Sequence, residues 1–145
     1  MRPRPALGAV ASAARAAAIS ALVRRLRCVA ASEGTGWAAT ANIADLIDDA
    51  TTADDAERSK PFPDIFEAAF AKLGLDQRAD AMVIGDTPYD AEAARGAGLS
   101  TIGFLCGGFT EQALRQAGAV AVYRDPQHLL EAYDESPLAK GLVDP

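Results

Sequence analysis

A lysine on a proline-stiffened loop and two carboxylates beside a glycine turn are the residues of this chain most suited to chemistry. The lysine is Lys60, in Ser59-Lys60-Pro61-Phe62-Pro63-Asp64; the carboxylates are Asp86 and Asp90, in Gly85-Asp86-Thr87-Pro88-Tyr89-Asp90. A lysine on such a loop loses less freedom on meeting an anion, and its ammonium can neutralise a phosphoryl oxygen. Two carboxylates four residues apart, after an apolar run and a glycine that allows a sharp turn, can converge on one hard cation. Together they suit the charge-stabilising side of magnesium-assisted phosphoryl transfer. Taken singly, each has a plainer reading: Asp90 as a helix N-cap, Asp86 as a turn former, Lys60 as a solvated surface lysine.

The elements that must position these residues alternate between short apolar runs and helical patterns. Pro63 opens a helix with Ile65, Phe66, Ala69, Phe70 and Leu73 on one face, and Gly74 ends it. Ala79–Ile84 reads as a buried strand stopping at Gly85-Asp86, and Asp90 as the residue preceding a helix over Ala91–Ala97. A strand over Thr101–Cys106 leaves through Gly107-Gly108. It is followed by a helix over Thr110–Ala117 with Thr110 as N-cap, a strand over Ala119–Tyr123 and a helix over Pro126–Tyr133. Upstream, the alanine-rich Val10–Arg27 reads as a helix, Arg27–Ala31 as a strand, Trp37–Leu46 as a short helix and Asp48–Thr52 as an edge strand. This order predicts an α/β protein with parallel βαβ units, whose ligands bind beyond the carboxyl ends of the strands.

Composition narrows the function class. The chain has 145 residues, half of them hydrophobic, and a formal net charge of −6. That acidic balance argues against a nucleic-acid surface, which needs clustered Lys and Arg. Arg15 interrupts the apolar part of the N-terminal segment, which does not read as a signal peptide. No run approaches the roughly 18 apolar residues needed to span a bilayer. A cytoplasmic location without membrane contact is the expectation. Cys28 and Cys106 each sit in an apolar run and read as reduced core thiols. His128 is the only histidine and falls outside the motifs, which leaves a Ser-His-Asp arrangement unsupported.

Two of these segments resemble motifs of the haloacid dehalogenase-like (HAD) hydrolases, in particular the phosphoglycolate phosphatase and β-phosphoglucomutase-like branch. Ser59–Phe66 is similar to the third motif of that family and Val83–Ala91 to the fourth, in the right order and spacing. The likeness extends from Ile43 to Leu130. It implies a Rossmann-like, three-layer parallel sheet, with Lys60 holding phosphate and nucleophile charge. It also implies that Asp86 binds Mg2+ and that Asp90 supports the metal. The second motif, a hydroxyl donor after a strand, falls on either Ser32 or Ala31; with Ala31 in that place the donor is lost.

The first motif is missing. An aspartate nucleophile with a second aspartate two residues on should follow the first core strand, yet Met1–Arg27 contains no aspartate. Without it no aspartyl-phosphate of the family's kind forms. The expectation is therefore an incomplete core without a cap domain: an N-terminal helical segment over 1–27, a core portion over 28–133 and a flexible tail over 134–145. Its ligand would be a small phosphorylated metabolite, and its activity weak or nil. The alternative is a non-catalytic remnant serving as a binding or assembly module. An exposed or re-paired seam is also expected between the strands ending near Ala31 and at Gly85, closed either by direct pairing of those two strands or by self-association.

Overall fold

The computed structural model describes residues 8–11, 26–31, 47–78 and 81–140. Among these described residues, six strands form one sheet in the order β3-β2-β1-β4-β5-β6, and every pairing is parallel. They are β1 (Gly8–Ala11), β2 (Leu26–Ala31), β3 (Ile47–Thr52), β4 (Ala81–Gly85), β5 (Ser100–Phe104) and β6 (Ala119–Tyr123). The described helices are α1 (Asp64–Leu73), α2 (Pro88–Gly96), α3 (Glu111–Ala117), α4 (Pro126–Glu131) and α5 (Pro137–Lys140).

Burial along β4 fixes the layering. Ala81 and Val83 join one core cluster with Ile65, Phe66, Ala69, Phe70 and Leu73 of α1 and with Ala93, Ala94 and Ala97 at α2. Met82 and Ile84 alternate with them, face the other side of the sheet, and are equally buried at 1% and 2%. Both faces are therefore covered, which makes three layers of the Rossmann-like α/β class. The continuous apolar run of β4 is what a parallel strand buried on both faces requires. On the α1 side, α2 approaches closely at Gly96, where an added Cβ would meet Pro63 at 3.2 Å. Gly74 ends α1 in the left-handed conformation, φ 61°, with its N–H donating to the Ala71 carbonyl.

The seam is not there. Gly8–Ala11 runs as β1 between β2 and β4, with Val10 opposite Cys28 on one side and Val83 on the other. The helix read over Val10–Arg27 gives way at both ends, since Val10 and Ala11 belong to β1 and Leu26 and Arg27 to β2. A domain boundary at residue 27 would cut through β2 and leave out the strand that completes the sheet. Alanine's helix propensity is a weak prior. Two facing strands with unpaired N–H and C=O groups outweigh it, because each buried group left unpaired costs more than the local preference yields.

The tail differs too. A 3-10 turn over Tyr133–Glu135 and helix α5 replace the frayed segment, with Ser136 and Leu138 buried; residues 141–145 lie outside the described residues. The helix read over Trp37–Leu46 also lies outside them. β3 forms at the sheet edge as expected. Cys106 is exposed in the 3-10 turn that follows β5, not packed in the core. No cap-sized insertion and no helix long and apolar enough to cross a membrane occur among the described residues.

Candidate functional site

Strand order reverses between β1 and β4: the chain proceeds outward from β1 through β2 and β3, and outward the other way from β4 through β5 and β6. In open parallel sheets such a switch point leaves a crevice at the carboxyl ends of the two central strands. Ala11, the last residue of β1, pairs with Ile84. Gly85 and Asp86 therefore stand at the mouth of that crevice.

Asp90 is the hub of the site. Its side chain accepts from the Lys60 ammonium at 2.6 Å through Oδ1. Through Oδ2 it accepts from the backbone N–H groups of Asp86 (3.2 Å) and Thr87 (3.1 Å) and from the Thr87 hydroxyl (3.0 Å). The residue is 4% exposed. It does not precede its helix. Thr87 is the N-cap of α2, accepting from the Asp90 N–H at 3.2 Å, and Asp90 is the third helical residue of a reciprocal capping box. Thr-x-x-Asp with proline at the first helical position is the sequence signal for this box, and it prevails over Asp90's own preference for the cap position.

Lys60 reaches this hub from the loop between β3 and α1, its peptide bond to Pro61 being cis. The loop is clipped shut by Arg58, whose backbone N–H and guanidinium Nε donate to Asp64 Oδ2 at 3.1 and 3.3 Å and whose second guanidinium nitrogen meets Oδ1 at 3.0 Å. Those bonds hold the Asp64 carboxyl below the usual carboxylate range. The clip is thus complete above that range and is lost as pH falls through the lowered value. On its far side the Lys60 ammonium lies 5.4 Å from the centre of the Phe66 ring, a cation–π contact.

Two glycines make room for the carboxylates. A Cβ at Gly85 would lie 2.6 Å from Asp90 Cβ and Oδ2, and one at Gly107 would overlap the Asp86 carbonyl oxygen. The exit turn of β5 is thereby pressed against Asp86. Tyr89 is 51% exposed and is no core residue: it meets Phe109 edge to face at 6.3 Å. Ser32 and Ala31's successor turn lie outside the described residues, as do the residues after β1, where the sequence continues Ser12-Ala13-Ala14 without a carboxylate.

The described residues do not by themselves make a magnesium site. Both Asp90 oxygens are committed to donors, and a cation on either would displace Lys60 or the α2 cap. Asp86 is then a single carboxylate, and no three acidic, cysteine or histidine side chains converge among the described residues. Magnesium at 10 mM is accordingly expected to raise the melting temperature by less than about 1 °C, since a ligand stabilises only in proportion to its occupancy. A rise of several degrees that Asp86→Asn removes would contradict this.

Comparison with known proteins agrees with this architecture. Residues 38–104 match the family model described as haloacid dehalogenase-like hydrolase. A hydrolase from Pseudomonas syringae is 38% identical, with a TM-score of 0.62 over 74% of this chain and 51% of its own. A HAD family hydrolase from Deinococcus radiodurans, solved with bound phosphate and sodium, is 24% identical, with a TM-score of 0.66 over 87% and 58%. A phosphonoacetaldehyde hydrolase-like protein from Oleispira antarctica is 21% identical, with a TM-score of 0.63 over 92% and 59%. This chain thus spans between half and three-fifths of the length of these structures. No curated protein matches it.

Proposed function

Because this chain belongs to the haloacid dehalogenase-like hydrolase superfamily, we propose that it carries the phosphate-holding half of a phosphomonoester hydrolase site. The observation that supports this most is the Lys60–Asp90 pair at the carboxyl end of β4. An ammonium fixed at a switch-point crevice is a prepared counter-charge for a phosphoryl oxygen. Asp90 uses one oxygen on Lys60 and leaves the lysine's other N–H bonds for a ligand, since an ammonium has three donors. The HAD family hydrolase from Deinococcus radiodurans was solved with bound phosphate, which makes inorganic phosphate the natural anion to test here. Of the described carboxylates only Asp86 would be left for the magnesium general to this family, and one carboxylate does not hold that ion by itself.

Turnover is a separate matter. The nucleophile of the family is an aspartate after the first core strand. In this chain the first aspartate is Asp45, beyond both β1 and β2. A small phosphorylated metabolite would be bound and not hydrolysed. An aryl phosphate with magnesium is therefore expected to be hydrolysed no faster by the chain than by Lys60→Ala. Inorganic phosphate is expected to bind the chain and to lose about tenfold or more in affinity to Lys60→Ala, the worth of one charge-assisted hydrogen bond. Equal phosphate affinity of the two proteins would remove the proposal. Magnesium-dependent hydrolysis abolished by Asp86→Asn would show that the chain holds a nucleophile of another kind.

A further inference from the structure

We propose that Thr87 is a positioning residue, whose hydroxyl orients Asp90 and through it the Lys60 ammonium. This rests on reading Lys60 as the anion-holding group. The Thr87 hydroxyl accepts from the Asp90 N–H at 3.2 Å, and its single proton is left to donate to Asp90 Oδ2 at 3.0 Å. Oδ2 also takes the N–H groups of Asp86 and Thr87. Three donors hold that oxygen, so the carboxylate cannot rotate, and Oδ1 is the oxygen presented to Lys60. Gly85, with no Cβ to push Asp90 outward, completes the seat. Lys60 is caught between Oδ1 and the Phe66 ring, and its direction is inherited from a hydroxyl it does not touch.

The fold contains its own control. Thr110 caps α3 in the same way, accepting from the Ala113 N–H at 3.1 Å, but the residue at the third helical position there is Ala113. Its hydroxyl has no carboxylate to orient. The two threonines therefore share a capping role; Thr110 is the more exposed of the two and lacks the link to Lys60.

The test compares the unaltered chain with Thr87→Val, Thr87→Ser and Thr110→Val. One readout is the affinity for inorganic phosphate. The other is solvent exchange of the Lys60 Nζ protons in lysine-labelled protein, assigned with Lys60→Ala. Thr87→Val is expected to weaken phosphate binding about tenfold and to speed the exchange several-fold, on the scale of one lost hydrogen bond to a charged group. Thr87→Ser should restore both, and Thr110→Val should alter neither although it too loses a cap. Wild-type exchange in Thr87→Val, or the same change in Thr110→Val, would overturn the proposal. If the unaltered chain fails to bind phosphate, the functional reading falls, while the exchange arm still decides the role of Thr87. If Thr87→Val does not fold, Thr87→Ala is read by the same two measurements.

Discussion

Asp90→Ala is expected to lower stability by about 3 kcal/mol and to weaken phosphate binding by more than tenfold. Removing one partner of a buried ion pair costs roughly 3–5 kcal/mol, because the other charge is left without compensation. Here the low end applies: the Lys60 side chain is 28% exposed and can turn toward water. The Asp86 and Thr87 N–H groups and the Thr87 hydroxyl each lose an acceptor as well, and unmet donors in a partly buried turn add to the loss. Asp90→Asn tests the same point more finely. Its amide keeps one oxygen, so either Lys60 or the turn must face an NH2 group and lose its bond. Urea unfolding at neutral pH gives the first quantity and phosphate titration the second. A loss below about 1 kcal/mol in Asp90→Ala would mean that the network is ornamental to the fold.

Gly85→Ala is expected to be nearly as damaging, for a reason of space. A methyl group 2.6 Å from Asp90 Cβ and Oδ2 must move a side chain held by four donors. Overpacking of this kind costs about 1–3 kcal/mol, and displacement of Asp90 adds part of the loss described above. Gly107→Ala meets the Asp86 carbonyl oxygen, which is backbone, so the exit turn of β5 must withdraw from Asp86. Its expected signature is different: weaker phosphate binding with a smaller change in melting temperature. Gly74→Ala separates crowding from backbone strain. Nothing lies within 4 Å of the added methyl group there, and only the left-handed φ of 61° is penalised, by roughly 1–2 kcal/mol. If Gly74→Ala costs as much as Gly85→Ala, crowding against Asp90 is not the reason for the glycine at 85.

Much of the second half of the chain was determined by its sequence alone. α1 through α3, apart from the start of α2, follow from local signals: an uninterrupted apolar run in a strand, a five-residue apolar stripe in α1, glycines at helix ends and Thr110 as a cap. Each acts within a few residues, and local chemistry decides it before any distant contact forms. The same holds for the order of Lys60, Asp86 and Asp90, which points to an anion and a turn.

Tertiary structure decided the rest. The identity of β1 rests on two neighbouring strands that its own sequence does not contain. Gly8-Ala9-Val10-Ala11 has no intrinsic β pattern strong enough to announce itself, and only pairing with β2 and β4 makes it a central strand. The division of labour between the two carboxylates was equally hidden. Spacing made Asp86 and Asp90 alike, but burial of Asp90 against Lys60, thirty residues away in sequence, commits both of its oxygens to donors. Buried polar groups must find partners, and which partner reaches them is a property of the packed sheet rather than of the motif.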